Sequence, residues 1–182
     1  MKAIFLICGQ TGAGKSALTK RLHQHFGFPI ASFGNAVRKI AQDAGEDSSD
    51  TSVLQRIGQK EVDQNPDNLC DLVLGALEGE FDGAFIDGLR HIKILEILRK
   101  KADPVPIAVI YVGLTEKIRF QRLAANRGWS LERCLAYKQS PTEVELESLL
   151  RGRTDLVVDN EGSIENSLAA CVRWIDQKFR SS

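Results

Sequence analysis

Cysteine is scarce and scattered in this 182-residue chain: Cys8, Cys70, Cys134 and Cys171 lie far apart, and none belongs to a C-x-x-C pair. That spacing argues against a zinc site and against a disulfide framework, so a reducing, cytoplasmic compartment is expected. An excess of either charge is also missing. Lysine plus arginine and aspartate plus glutamate both total 24, which leaves no global field to draw the chain to nucleic acid or to an anionic membrane. The three histidines, His23, His25 and His91, have no acidic partners at metal-ligand spacing and read as surface or packing residues. Long apolar runs are few. The N-terminal one invites comparison with a signal peptide, but it is short and leads directly into a glycine-rich loop, and no other stretch is long enough to span a membrane. Internal repeats and low-complexity tracts are absent, so one globular domain is expected, able at this length to bury roughly 70% of its unfolded surface.

What is present is organised around GQTGAGKS, Gly9 to Ser16, which fills every fixed position of G-x-x-x-x-G-K-[ST]. Gly9, Gly12 and Gly14 allow positive φ and close approach to an anion, so that successive N–H groups point inward around a β-phosphate. Lys15 adds a mobile positive charge that can follow the β- and γ-oxygens, and the Ser16 hydroxyl is placed to ligate Mg²⁺. A helix beginning here aims its positive end at the phosphates. Context agrees with the motif: residues 2–8 read as a buried parallel strand, and Leu18, Leu22 and Phe26 recur at helical spacing after the loop. The stretch Gly9 to Ala17, with Gln10, Thr11 and Ala13 between the glycines, is therefore the expected ATP-binding segment.

Further along, residues 30–33 read as a second short strand closed by Gly34, followed by a helix from Asn35 to Ala44 that carries Arg38 near its start. Two more helices follow before the next strand. This block, 34–80, is too large for a simple crossover and is read as an acceptor-binding helical insertion. Ala84-Phe85-Ile86 forms the third strand, ended by the carboxylate of Asp87 and followed by Gly88, Leu89 and Arg90. At the carboxyl end of a parallel strand Asp87 can hold Mg²⁺ opposite Ser16 or orient the attacking oxygen. Its plain alternative is to cap the Gly88 turn. Arg90 and Arg38 can grip an acceptor phosphate with bidentate forks, the alternative being surface ion pairs. Residues 107–112 form the clearest buried strand. Thr115 caps a helix with Arg119 and Arg122 on its surface, and Trp129 to Arg153, polar and mixed in pattern, suits a mobile flap. Residues 156–158 and an amphipathic helix through Phe179 complete a five-stranded parallel sheet between helical layers.

In order along the chain, GQTGAGKS, FGNAVR, FIDGLR, RLAANRG and DLVVDNEGS resemble the P-loop kinases of the nucleoside monophosphate kinase and dephospho-coenzyme A kinase families. The resemblance spans nearly the whole sequence. It implies a P-loop NTPase fold of three α/β/α layers with a lid over 126–153. It also implies that Gly34, Asn35 and Arg38 contact the acceptor, that Arg122 and Arg127 act on the transferring group, and that Asn160 and Gly162 lie near adenine. Two positions depart from the family pattern: Asn35 replaces a frequent aspartate, and Leu89 replaces the proline of adenylate kinases. The reading is an ATP- and Mg²⁺-dependent kinase with Lys15, Asp87, Arg122 and Arg127 as catalytic residues and Ser16 and Asp87 at the metal. Its acceptor is a small phosphorylated molecule, a nucleoside or deoxynucleoside monophosphate, or alternatively dephospho-coenzyme A; monomer and homodimer are both compatible. An NTP-driven switch or assembly ATPase is the reading from another class, although N-K-x-D, the guanine-reading motif, is absent.

Overall fold

The computed structural model describes residues 2–77, 79–146 and 151–180. Its centre is a five-stranded sheet in the order β2-β3-β1-β4-β5, formed by β1 (Ala3–Cys8), β2 (Ile30–Ser32), β3 (Gly83–Leu89), β4 (Ile107–Gly113) and β5 (Leu156–Asp159). Every pairing is parallel. All six residues of β1 are buried, as expected of a strand covered on both faces. Its side chains alternate between two cores. Ile4, Leu6 and Cys8 face one core, and Ala3, Phe5 and Ile7 face the other.

The first core is closed by α2 (Phe33–Asp43), α3 (Thr51–Gln64), α4 (Pro66–Gly75) and α5 (Ile92–Ala102), through Ala41, Ile57, Leu69 and Leu95 among others. The second is closed by α1 (Lys15–Phe26) and α9 (Ile164–Ile175), through Leu18, Leu22, Cys171 and Ile175. Each fully buried leucine or isoleucine in these layers is worth about 1.5–3 kcal/mol of hydrophobic transfer. The two layers and the sheet form the three-layer α/β/α fold of P-loop NTPases expected from the sequence. Between β4 and β5 stand α6 (Glu116–Arg127), α7 (Leu131–Lys138) and α8 (Pro141–Glu145). Residues 147–150, within the expected lid, lie outside the described residues.

Several local readings are corrected. β2 ends at Ser32 because Ser32 caps α2, its hydroxyl accepting from the Asn35 N–H at 3.4 Å, so Gly34 lies in the first helical turn and does not close the strand. β3 does not stop at Asp87. It runs to Leu89 through an irregularity in which Ile7 pairs with Asp87 and Cys8 with Leu89, leaving Gly88 as the extra residue at φ +93°. Such a bulge re-aims the side chain beside it, and the side chain here is Asp87. Thr115 holds the N-cap position of α6 but makes no side-chain cap bond. Arg119, read as a surface residue, is 1% exposed. It stands four residues before the buried Leu123 and so shares that residue's inward face. Trp129 is also buried, packed with Leu123 and Cys134 in a small third core beneath α7. Among the described residues no helix is long and apolar enough to cross a membrane.

Candidate active site

β1 sits between β3 and β4, where connections leave the sheet toward opposite sides and a crevice opens beyond the strand ends. The loop from Gly9 to Gly14 fills that crevice, and its neighbours press on it closely. A Cβ at Gly9, where φ is +139°, would meet the Val112 carbonyl oxygen of β4 at 2.4 Å. One at Gly14, where φ is +89°, would meet Asn160 Nδ2 at 2.5 Å. Only glycine suits either place. Asn160 itself is 3% exposed, donating from Nδ2 to the Ala13 carbonyl at 2.7 Å and accepting from Ser167 Oγ at 2.8 Å. Its amide is thus committed to holding the loop. Gly162, two residues on, lies exposed in the turn before α9.

Lys15 is curled back on the loop, its Nζ donating to the Gln10 carbonyl at 3.0 Å. Burial, and then the nearby Arg90 guanidinium, lower its pKa from 10.5 to about 8, against the opposing pull of Asp87 and Glu143. An arriving phosphate would restore the charge that burial penalises. Ser16 Oγ donates to Asp87 Oδ2 at 2.6 Å, joining the first turn of α1 to the bulge of β3. The other carboxylate oxygen, Asp87 Oδ1, is buried without a hydrogen-bond partner. An orphaned carboxylate oxygen beside a hydroxyl is a hard, all-oxygen donor pair, which fits Mg²⁺.

The arginines divide among different tasks. Arg90 donates from Nη2 to Thr11 Oγ1 at 3.0 Å and from Nη1 to Glu143 Oε1 at 3.1 Å. It therefore touches the phosphate loop directly. Arg38, exposed on α2, donates to Asn35 Oδ1 at 3.0 Å and makes no ion pair among the described residues. Arg122 Nη2 donates to the Asn160 carbonyl at 2.9 Å, while Arg127 is exposed with its guanidinium 5.8 Å from the centre of the Trp129 ring. Gly34, Arg38, Arg90, Arg122 and Arg127 all line one cleft of about 1220 Å³ that also holds the phosphate loop, including Lys15, Ser16 and Ala17.

Three residues at this site escaped the sequence reading. Glu143 is 0% exposed and meets Thr11, Arg90 and Arg119; Arg119 Nη1 reaches both the Thr11 carbonyl and Glu143 Oε2 at 3.4 Å; and the Tyr137 hydroxyl stands 3.4 Å from Thr11 Oγ1 and from Arg90 Nη1. For Arg119 the helical position relative to Leu123 was a usable signal. For Glu143 no local signal exists. The four cysteines are buried and free, and burial pushes the Cys8 thiol up to about 12 despite the field of Lys15. Among the described residues no group of three or more histidines, cysteines and acids could hold a metal ion.

Residues 5–140 match a family model described as AAA domain. No curated protein matches the chain. Among solved structures, the fold is similar to that of TT1252 from Thermus thermophilus, 20% identical, covering 97% of each chain at a TM-score of 0.62. It is similar to shikimate kinase from Bacteroides thetaiotaomicron, 14% identical, with 96% of this chain and 98% of that one covered at a TM-score of 0.60. A sugar kinase from Janibacter sp. HTCC2649 is 12% identical, with 99% and 98% covered at a TM-score of 0.61. At these identities the likeness is one of fold.

Proposed function

The chain belongs to the AAA domain family, and from that premise we propose that it is an ATP-dependent kinase moving the γ-phosphoryl group of ATP to a small phosphorylated acceptor, a nucleoside or deoxynucleoside monophosphate. The observation that carries this reading is the extent of the cleft. At about 1220 Å³ it exceeds the 300–1,000 Å³ usual for one small ligand, and it continues from the phosphate loop to Phe33 and Val37 of α2 and Leu54 of α3. A donor nucleotide at the loop leaves room for an acceptor between α2 and α3, with an apolar wall for a flat ring and Arg38 for a phosphate.

In this reading the loop N–H groups hold the donor phosphates, and Lys15 carries its positive charge from the Gln10 carbonyl to the terminal phosphoryl oxygens. Ser16 and Asp87 would hold Mg²⁺, which when bound would supply neutralisation of the donor's phosphate charge. Asp87 also orients the acceptor oxygen. Arg122 and Arg127, on the last turns of α6, face the same cleft and stabilise charge spread over the equatorial oxygens, a contribution of ~10³-fold or more where such an arginine has been removed. The segment after α6 excludes water that would otherwise hydrolyse ATP.

The test is a panel of mononucleotides, deoxymononucleotides and dephospho-coenzyme A, each incubated with ATP and Mg²⁺ while ADP is followed. ADP formation that depends on one nucleoside monophosphate is the expected result. Dependence on dephospho-coenzyme A would move the acceptor to a ribose hydroxyl. ADP release that no acceptor stimulates would assign an NTP-driven switch or assembly ATPase instead.

A further inference from the structure

α8 has only five residues, yet two of its carboxylates are docked on the catalytic half of the molecule. Glu143, fully buried, lies over Thr11: the Thr11 N–H is 3.2 Å from Oε1 and 3.3 Å from Oε2, and Thr11 Oγ1 donates to Oε1 at 2.9 Å. Two guanidiniums flank it, Arg90 Nη1 at 3.1 Å and Arg119 Nη1 at 3.4 Å. Glu145 makes the second attachment, accepting from the Ile92 N–H at the start of α5 at 2.9 Å and meeting His91 Nδ1 at 2.8 Å.

A phosphate-loop N–H between two guanidiniums is an anion site by its chemistry. The carboxylate leaves donor capacity on these guanidiniums unused, since Arg119 Nε is buried with no hydrogen-bond partner. A group with more acceptor oxygens and about two negative charges, as a terminal phosphoryl carries, suits the subsite better than a carboxylate does. Thr11 stands four residues before Lys15, the first residue of α1, whose N-terminus would face the β-phosphate, so the Thr11 N–H is one that a phosphoryl group beyond the β-phosphate would meet. Two such anions cannot share one buried subsite without severe repulsion.

We propose that Glu143 is a built-in surrogate for the terminal phosphoryl group of a nucleoside triphosphate: it holds the subsite of Thr11, Arg90 and Arg119 in the ligand-free protein, and triphosphate binding expels it. Departure of Glu143 levers α8 off the α5 terminus as well, because Glu145 lies on the same short helix. A diphosphate, which does not reach the subsite, leaves both attachments in place. The inference rests on the loop binding nucleotide, not on transfer to any acceptor.

Calorimetry with Mg²⁺ and either ADP or the non-hydrolysable triphosphate AMP-PNP tests it on wild type and Glu143→Gln. Loss of the internal competitor should tighten AMP-PNP binding by about tenfold or more, since apparent affinity scales with the open fraction, and should change ADP binding by less than about threefold. Unchanged or weaker AMP-PNP binding, with ADP bound normally, overturns the proposal and leaves Glu143 a fixed part of the scaffold. Because the variant removes the counter-charge of two guanidiniums, the wild-type protein supplies an independent measurement. Backbone amide hydrogen exchange across residues 142–145 should accelerate with AMP-PNP and not with ADP. Equal protection with both ligands also overturns it, and failure of wild type to bind either nucleotide overturns the nucleotide reading together with this one.

Discussion

Replacing Lys15 with methionine should make the ligand-free protein more stable while removing its chemistry. Lys15 is 9% exposed, and its pKa falls from 10.5 to about 8, chiefly by burial. That drop corresponds to about 3 kcal/mol of unfavourable interaction with the charged form. Methionine is of similar length and apolar, so it escapes this cost, but it leaves the Gln10 carbonyl without the 3.0 Å bond from Nζ. That carbonyl keeps its bond from the Ala13 N–H at 3.1 Å, so losing the second donor costs about 0.5–1.5 kcal/mol. The net expectation near pH 7 is therefore a gain of about 1.5–2.5 kcal/mol, read as a higher urea midpoint at unchanged m-value. The sign with pH follows from the direction of the shift. Between about 8 and 10.5 the unfolded lysine keeps its proton while the folded one has lost it, so Lys15's contribution to stability improves as pH rises through that window. Buried thiols pull the other way: Cys8 and Cys171, raised to about 12, favour the unfolded state once pH passes their ordinary value of 9.0. Cys171 acts alike in both proteins, whereas Cys8 loses the lowering field of Lys15 in the variant; that difference adds to the variant's penalty only above about pH 9.0, so the comparison isolates the lysine below it. The variant's advantage should shrink from pH 7 to pH 10. A variant less stable than wild type at pH 7, or an advantage that grows with pH, would refute the account of Lys15 as a buried, strained charge. Phosphoryl transfer should fall by ~10² or more in the same variant.

Asp87→Asn keeps the shape and the bond from Ser16 but loses the charge, so residual activity should require more Mg²⁺; an unaltered Mg²⁺ titration would return Asp87 to a turn-capping role. Arg38→Lys retains charge but not the fork, and acceptor binding should weaken by roughly 1–3 kcal/mol in calorimetry while ATP binding stays unchanged. Equal weakening toward both ligands would place Arg38 on the donor. All four thiols should resist alkylation at pH 8 in the native protein and react in urea, since each is buried; rapid native labelling of Cys8 would contradict its elevated pKa.

The phosphate loop was legible because its function is written in residue identity at fixed spacing: two glycines, a lysine and a serine do their work through local backbone geometry. β1 was legible for a similar reason, since six successive apolar residues leave a strand no polar face. Asp87 does stand beside Ser16, but the end of a strand was an incomplete reason for it. The bulge that turns it depends on pairing between β1 and β3, residues some eighty apart in sequence, which no local pattern reports. Arg119 was misplaced because arginine is ordinarily a surface residue, and its burial makes sense only once Glu143, 24 positions later, is brought beside it. Glu143 lay in a stretch without clear periodicity. Its setting comes from contacts 132, 53 and 24 residues away in the chain, with Thr11, Arg90 and Arg119.

The bond from Asn160 to Ala13 spans 147 positions and bears on the order in which the protein is made. Synthesis delivers the phosphate loop well before the amide that braces it, which belongs to the turn after β5, and Ser167 on α9 braces that amide in turn. An incomplete chain emerging from the ribosome thus carries its nucleotide motif without the support that shapes it. Both bonds can form only after β5 and α9 have been made, and a fragment that stops before them lacks this brace on the loop.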